Sequence, residues 1–148
     1  VFTLIFGLPF LVAAASPVQG LQATDVLGVL VWLVAVGGEW TSDRQLERWR
    51  ANPANKGRTC RAGLWAWSRH PNYFFEWVHW FAYVLVAFGS PWWWASFWGP
   101  VAMLVFLFKL TGIPWTEARA LESRGEDYRK YQREVSVFFP LPPRAKAG

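Results

Sequence analysis

The sequence predicts an all-α membrane protein: a multi-pass bundle of about four helical spans with a cytoplasmic amphipathic C-terminal helix. Apolar residues make up 53% of the 148 residues and aromatic residues 19%, with 12 Trp. A soluble domain seldom carries so much aromatic surface, and tryptophan prefers the membrane–water interface. The charges are also segregated, because residues 1–36 contain only Asp25 and residues 74–110 contain only Glu76 and Lys109. A soluble helical bundle of unusual composition is the alternative.

Four apolar segments are candidates for membrane-spanning helices within a single domain, residues 1–148. A crossing helix needs roughly 20 residues, so the first segment, which contains Pro9, is short for a full crossing. The second continues into polar Glu39–Arg50, and we expect one unbroken helix there. The last contains Pro100, at which we predict a kink. The four segments are 1–15, 25–38, 74–88 and 92–110.

Lysine and arginine placement predicts the orientation. Residues 44–69 contain seven of them and residues 119–146 another seven, whereas the connections 16–24 and 89–94 contain none. The positive-inside rule then places both basic segments in the cytoplasm. One of them holds the predicted amphipathic helix, Thr116–Arg133. We therefore expect a multi-pass protein of a bacterial inner membrane whose basic loop and C-terminus are cytoplasmic.

Several classes of protein are disfavoured. The chain opens on Val1 in apolar sequence without a basic n-region, so we expect an N-terminally truncated fragment rather than a signal peptide. The single Cys60 excludes an internal disulfide. Two His and no carboxylate pair at ligand spacing argue against a metal, and P-loop and Rossmann glycine motifs are lacking. The aromatic residues lie in the spans rather than among the arginines, which argues against nucleic acid.

The stretch Arg58–Glu76 is the first candidate for a functional site. Pro71 cannot donate a helical amide and pushes His70 toward an extended conformation, so we expect a helix to begin near Asn72, a good N-cap residue. A helix start presents free N–H groups and a partial positive charge. Together with Arg58, Arg61 and Arg69, this arrangement predicts a phosphate-binding position. A basic loop closed by a capped turn is the alternative.

Glu76, His79 and Tyr83 fall on one face of the third predicted span. An ionisable group inside a membrane is costly unless it faces a bundle interior or a wet cavity, so this face predicts a polar pocket. Glu76 is placed to accept hydrogen bonds from a ligand amide, and His79 and Tyr83 are candidate proton donors. The alternative is a Glu paired with a loop arginine and a His satisfied inside the bundle.

Two polar helices offer further candidates. Asp43 and Arg50 lie on the cytoplasmic extension of the second span, and arginine is a bidentate partner for phosphate. Tyr128 lies on Thr116–Arg133, a helix that either rests on anionic lipid or closes over a nucleotide. A solvated helix surface is the alternative for the acidic and basic residues of the extension.

Three stretches together resemble a known family. GLWAWSRHPNYFFEW, a Trp-rich hairpin and TGIPWTEARALESRGEDYRKYQREVSVFFP occur in the order and spacing of a bacterial membrane family of unknown function. That family is related to the C-terminal domain of steroid 5-alpha-reductases and, more distantly, to sterol reductases. The resemblance covers residues 39–140. It implies a helical membrane protein that binds NADPH on its cytoplasmic side and reduces an activated carbon–carbon double bond in a lipid or steroid-like substrate.

The resemblance also implies which residues contact the NADPH. The cofactor supplies the hydride, and the protein positions it and polarises the acceptor. The implied contacts are Asp43, Arg50, Asn72, Tyr73, Glu76 and Tyr128, then Arg69, and, from less closely matched segments, Arg58, Arg119 and Arg133.

The sequence departs from the family pattern in two places. Phe75 stands where the family usually has glycine, and a bulky ring there is expected to crowd an approaching cofactor. The acid group that polarises the substrate in steroid reductases lies in N-terminal helices, which we expect to be missing from this fragment. We therefore assign no catalytic acid.

Two rival interpretations stay open. Membrane methyltransferases of the isoprenylcysteine carboxyl type and related phospholipid methyltransferases, which bind S-adenosylmethionine, share the Arg-His-Pro-x-Tyr motif and a later Glu-containing segment. The Gly-Leu-Trp, Asn72 and the Thr-Gly-Ile-Pro of this chain favour the reductase group. A membrane subunit that kept the fold without the chemistry is the non-enzymatic alternative.

Overall fold

The structure, a computed structural model, describes residues 2–110 and 112–144, with side chains from residue 6 onward. Thr111 of the TGIP motif and the end of the basic tail, 145–148, lie outside these ranges. Within them the regular structure is helical and contains no β-strand, which confirms the all-α prediction. The five α-helices, α1 to α5, are Phe2–Ala14, Ala23–Ala51, Pro71–Val86, Trp98–Val105 and Ile113–Glu134.

Two helical runs in the described part are long and apolar enough to cross a membrane, Ala23–Ala51 and Trp93–Glu134. In the second run, residues 93–110 hold a single charge, whereas the following residues are rich in charge. Helices α1 and α3, at 13 and 16 residues, are shorter than the roughly 20 residues of a full crossing. The structure therefore supports a protein with membrane-length helices.

Helix α2 continues unbroken through its polar half, as predicted. Its buried positions are the small residues Gly28, Ala35 and Ser42, spaced seven apart. Small residues allow two helix backbones to approach closely, and α3 packs along this stripe. The polar end of α2 is thereby fixed beside the start of α3.

The bulky side chain of Phe75 is accommodated at this interface. Its ring lies so close to Gly38 that a Cβ atom on Gly38 would overlap it. Phe75 does not line the polar cavity described below. The ring therefore fills the space left by a glycine on the neighbouring helix instead of entering the space for a ligand.

Helix α3 begins one residue earlier than predicted, and its cap differs. His70, with φ −138° and ψ 60°, is the N-cap residue and Pro71 is the first helical residue, a position where proline is favoured. Asn72 therefore lies inside the first turn, and the prediction that it caps the helix was wrong. Its side-chain amide instead donates a hydrogen bond to Asp43 Oδ1 at 3.1 Å.

The second apolar run is not one uniform helix. It starts with a 3-10 segment, Trp93–Phe97, continues as α4 and ends in a π-helical turn, Phe106–Leu110. Pro100 is the third residue of α4. Proline is tolerated in a first turn, so Pro100 follows a helix start instead of bending a continuous helix, contrary to the predicted kink.

Helix α5 starts at Ile113, three residues before the predicted Thr116, and it is interrupted at Gly125. Gly125 has φ 52° and ψ −122°, a combination that is essentially confined to glycine. The two halves of α5 consequently run in different directions. Tyr128 and Tyr131, in the second half, are buried.

The chain after α5 returns to the loop before α3. Ser68 Oγ donates to the Phe138 carbonyl oxygen at 2.7 Å, and the Arg69 amide donates to the Ser136 carbonyl oxygen at 2.9 Å. Phe138 packs in an apolar cluster with Met103, Leu107 and Ile113. These contacts fix the end of the 58–70 loop against the chain that follows α5.

Candidate functional site

A cavity of about 490 Å³, here called the polar cavity, lies between the polar half of α2, the 58–70 loop, the start of α3 and α5. This volume is within the range of small-molecule sites, roughly 300–1,000 Å³. The side chains of interest in its wall are Asp43, Arg50, Thr59, Cys60, Trp65, Arg69, His70, Asn72, Tyr73, Trp115, Arg119, Ser123, Arg124, Tyr128 and Tyr131.

The structure brings together six of the seven residues predicted to contact a cofactor. Glu76 lies outside the polar cavity and lines a neighbouring one. Of the further contacts implied by the resemblance, Arg119 lines the polar cavity, Arg58 lines a third cavity, and Arg133 lies on the exposed surface, paired with Glu126 at 2.9 Å. The six that share the polar cavity are Asp43, Arg50, Arg69, Asn72, Tyr73 and Tyr128.

The wall of the polar cavity is strongly basic. It contains four guanidinium groups and a single carboxylate, that of Asp43. Among the described residues, no carboxylate lies within 4 Å of Arg50, Arg119 or Arg124. Arg119 stacks over Trp115 and Arg124 over Tyr128, at 5.0 and 4.9 Å from the ring centres. Three cations in this wall are therefore available to an anionic ligand.

The fourth guanidinium, that of Arg69, is held by Glu117. Arg69 Nε and His70 Nε2 lie 3.1 and 3.3 Å from Glu117 Oε1. Tyr128 OH donates to the same oxygen at 3.1 Å, and Gln132 Nε2 donates to Oε2 at 2.8 Å. Arg69 Nε has no well-aligned hydrogen bond, so its contact with Glu117 is an ion pair with poor angular geometry.

The pKa of Glu117 reflects this network. Burial raises this pKa. The hydrogen bond with His70, the charge of Arg69 and the hydrogen bond from Gln132 together lower it by more than burial raises it, so the pKa lies below its ordinary value of 4.5. Glu117 is thus an ionised carboxylate behind the cavity wall. It fixes one arginine and one tyrosine that line the cavity.

The start of α3 contributes an unused acceptor. Asn72 Oδ1 is buried and has no hydrogen-bond partner among the described residues, although its amide nitrogen is engaged by Asp43. Buried acceptors are seldom left without a partner. Beside it, the Tyr73 ring stacks on His70 at 5.4 Å and 6°. Asn72 Oδ1 is therefore an unsatisfied acceptor beside the polar cavity.

A second cavity of about 580 Å³, here called the apolar cavity, adjoins the first at Tyr73, which lines both. Its polar groups come from Tyr73, Glu76 and His79, and its other walls are mainly apolar, from Trp80, Met103, Phe106 and Leu107. Glu76 and the arginines, which the resemblance groups around one cofactor, thus line two adjoining cavities. The second suits an apolar ligand that carries one or two polar groups.

The two candidate proton donors are placed differently. His79 lines the apolar cavity, whereas Tyr83 lies one turn further along α3 and meets His79 Nε2 through its hydroxyl at 2.7 Å. Tyr83 also packs against Phe10 of α1, with ring centres 4.5 Å apart. His79 is therefore the member of the pair that reaches the cavity.

Sequence reasoning missed two wall residues on α5, Trp115 and Ser123. They lie four residues before and four residues after Arg119, and all three line the polar cavity. That periodicity was a usable signal for one face of the helix. The position of Glu117 carried no such signal, because its partners come from the residues just before α3 and from the second half of α5.

The fold and the site define a helical protein with membrane-length apolar helices and a basic cavity beside them. The chain belongs to the family described as "Protein of unknown function (DUF1295)", whose profile matches residues 1–135. Comparison with curated proteins and with solved structures gave no significant match. The family match includes every residue that lines the two adjoining cavities.

Proposed function

We propose that this chain is an integral-membrane, NADPH-dependent reductase of a carbon–carbon double bond in a lipid or steroid-like substrate. The observation that carries the proposal is the polar cavity, in which four arginines face one aspartate beside an apolar cavity. The proposal also rests on the resemblance of residues 39–140 to relatives of the steroid 5-alpha-reductase C-terminal domain.

The charge of the polar cavity favours a ligand with several negative charges. Guanidinium groups bind phosphate oxygens in a bidentate manner, and Arg50, Arg119 and Arg124 have no carboxylate within 4 Å among the described residues. Arg69 adds a cation whose position is fixed by Glu117. A dinucleotide with a diphosphate matches this distribution of charge.

Because Tyr73 lines both cavities, the proposal assigns the cofactor to the polar cavity and the acceptor to the apolar cavity. The buried Asn72 acceptor at this end of the polar cavity fits a carboxamide N–H, and Tyr73 opens onto both spaces. NADPH, when bound, supplies a hydride. In the apolar cavity, Glu76 and His79 would orient the polar end of an apolar acceptor, with Tyr83 holding His79.

The proposed topology has four membrane-associated helical segments in a bacterial inner membrane. The lipid bilayer is the partner of their exposed apolar faces, such as that of Leu30, Leu33 and Val34 on α2. The positive-inside rule places the basic loop and α5 in the cytoplasm. The polar cavity then opens toward the cytoplasmic pool of nucleotide.

A methyltransferase that binds S-adenosylmethionine is the second candidate. The shared Arg-His-Pro-x-Tyr motif contributes Arg69, His70 and Tyr73 to the wall of the polar cavity, which is the observation in its favour. S-adenosylmethionine carries a sulfonium cation and one carboxylate, however, and four arginines suit it less well than they suit a diphosphate.

Titration of the full chain in detergent with NADPH and with S-adenosylmethionine tests the proposal. We expect NADPH to bind, and Arg50→Ala to weaken it by about tenfold or more because a charge-assisted contact is worth roughly 1.5–3 kcal/mol. Arg48→Ala, which removes an exposed charge on the same helix that does not line the cavity, is the matched control. Glu76→Ala should leave NADPH binding largely unchanged, because Glu76 lines the apolar cavity, where the proposal assigns it to the acceptor.

Three outcomes separate the interpretations. Binding of NADPH that depends on Arg50 and not on Arg48 supports the reductase. Binding of S-adenosylmethionine in its place supports the methyltransferase. Binding of neither supports a non-catalytic membrane subunit.

A further inference from the structure

The end of the loop before α3 and the chain after α5 run antiparallel and are joined by hydrogen bonds. This pair of segments, residues 67–69 and 136–141, is here called the clasp. In addition to the two hydrogen bonds described above, the Leu141 amide donates to the Trp67 carbonyl oxygen at 3.0 Å. Arg69 belongs to the clasp and also lines the polar cavity. The clasp therefore connects the tail of the chain to the candidate site.

Three large apolar side chains of the clasp are exposed. Those of Trp67, Phe139 and Leu141 are 47%, 52% and 54% exposed. All three lie outside the cavity walls formed by the described residues. Exposed apolar groups that lie close together are typical of a surface that meets another apolar phase or a partner. The clasp thus presents an apolar surface that the candidate site does not use.

This surface continues a row of aromatic rings along α3. The Phe139 ring lies 6.1 and 5.9 Å from the rings of Phe74 and Trp77, in the first half of α3. Trp77 contacts Phe81 at 4.8 Å, and Phe81 contacts Phe97 at 6.4 Å. Phe97, which is 41% exposed, directly precedes α4. The row therefore runs from the clasp to the start of the last apolar segment, beside helices proposed to lie in the membrane.

The backbone of the tail also suits a lipid environment. Residues 140–143 are Pro-Leu-Pro-Pro, and proline has no amide N–H. The Leu141 amide is thus the one donor that these four residues contain, and it is bonded to the Trp67 carbonyl oxygen. An unpaired N–H group is costly where no water is present to satisfy it. This segment enters the edge of a bilayer without that cost.

A lipid surface explains these features better than a partner protein does. Tryptophan side chains such as that of Trp67 prefer the membrane–water interface, and the exposed Arg144 that follows the prolines suits the anionic headgroups of a cytoplasmic leaflet. A partner protein would also cover the apolar side chains. It would require neither a segment without free N–H groups nor continuity with the aromatic row of the apolar helices.

We propose that Trp67, Phe139 and Leu141 insert into the cytoplasmic leaflet, at the boundary between headgroups and acyl chains, and that this insertion holds the clasp together. The bilayer thereby fixes the loop that carries Arg69 to the polar cavity. The proposal depends on the membrane topology given above, and it holds whichever ligand the polar cavity binds.

The depth of spin labels in the membrane tests the insertion. Cys60 is the one cysteine of the chain, so Cys60→Ala provides a background for a label at Phe139→Cys or at Leu141→Cys. The full chain is placed in nanodiscs of phosphatidylethanolamine and phosphatidylglycerol, one copy per disc. We expect both labels to collide more often with oxygen, which concentrates in lipid, than with a water-soluble nickel chelate. Lys130→Cys, an exposed position of α5, is the aqueous control and should show the opposite order.

Two results of the depth measurement would overturn the proposal. Collisions with the nickel chelate that are as frequent at positions 139 and 141 as at position 130 would place the clasp in water. Infrequent collisions with both reagents would show that protein, and not lipid, covers the labels. Either result leaves the proposed reductase standing, and failure of the chain to bind NADPH leaves the insertion standing.

Hydrogen exchange tests whether the bilayer holds the clasp together. Phe139→Ser with Leu141→Ser removes two apolar side chains, and in nanodiscs it should speed amide exchange in residues 66–70 by about tenfold or more, because the clasp then opens more often. Arg129→Ser with Lys130→Ser is the matched control, since it replaces two exposed residues of α5 outside the clasp, and its exchange in residues 66–70 should be unchanged. Equal exchange in the two double variants would overturn the stabilising role of the bilayer.

Discussion

The Tyr128 hydroxyl donates a hydrogen bond to Glu117 Oε1 at 3.1 Å, although the two residues are 11 positions apart on α5. A straight helix would separate residues at that spacing by roughly 16 Å along its axis. The contact exists because the chain leaves helical geometry at Gly125. The kink thereby turns both halves of α5 toward one cavity, with Arg119 from the first half and Tyr128 from the second.

Gly125→Ala should destabilise the chain by about 1–3 kcal/mol, because alanine is strained at φ 52° and ψ −122°. A Cβ at this position meets no atom within 4 Å, so the cost is one of backbone conformation. The measurement is the thermal unfolding midpoint of the full chain in detergent. Gly37→Ala is the control, since Gly37 is helical with equally open surroundings and alanine there should be stabilising by roughly 0.5–1 kcal/mol. An unchanged midpoint for Gly125→Ala would contradict the kink.

Glu117→Gln should lower the unfolding free energy at neutral pH by about 1–3 kcal/mol, because it leaves the buried side chains of Arg69 and His70 without their carboxylate partner. The folded pKa of Glu117 is below 4.5, since its hydrogen bonds and the charge of Arg69 outweigh the opposing effect of burial. Folding therefore favours the ionised form. Its stabilisation is complete above the unfolded pKa and is lost as pH falls through the lowered folded pKa.

The difference in unfolding midpoint between the unaltered chain and Glu117→Gln should accordingly shrink as the pH is taken below about 4. Glu122→Gln, an exposed position five residues along the same helix, should show no such difference at any pH. A Glu117→Gln difference that stays constant from neutral to acidic pH would mean that the carboxylate does not act through its charge.

Some of this site followed directly from sequence. The polar half of α2 continued the helix past its apolar part and carried Asp43 and Arg50 to the cavity, and Pro71 fixed where α3 begins. Periodicity also placed Glu76, His79 and Tyr83 on one face of α3, but it does not show that Tyr73 lies between two cavities. A glycine within the run ESRGEDY is compatible with a continuous helix as well as with a helix that is interrupted at that position. The contacts of Glu117 depend on that break, and so they were not predictable from the sequence.

Tyr131→Phe should cost about 1–3 kcal/mol of stability. The Tyr131 hydroxyl is buried and donates toward two carbonyl oxygens of the loop before α3, those of Trp65 at 2.5 Å and Ser68 at 3.1 Å. Phenylalanine keeps the ring and leaves both acceptors without their donor. Tyr73→Phe is the control, because the Tyr73 hydroxyl makes no hydrogen bond to a described residue, and its unfolding midpoint should change little. Equal midpoints for the two variants would show that the loop is held by other contacts.

The packing of Phe75 on Gly38 gives a prediction for the α2–α3 interface. Gly38→Ala places a Cβ into the Phe75 ring, and overpacking of this kind typically costs about 1–3 kcal/mol. Gly37→Ala, one position away on the exposed side of α2, should not show this cost. Phe75→Ala alone should also destabilise, by loss of the buried ring surface.

The double variant decides whether the two residues act together. If the ring and the missing side chain are complementary, Gly38→Ala should cost much less in the Phe75→Ala background than in the unaltered chain, since the space that the Cβ needs has been vacated. The coupling free energy from the four unfolding midpoints is expected to be about 1 kcal/mol or more. Additive effects would mean that the Phe75 ring does not pack on Gly38. Titration of Phe75→Gly with NADPH would then test whether the ring enters the polar cavity and hinders binding.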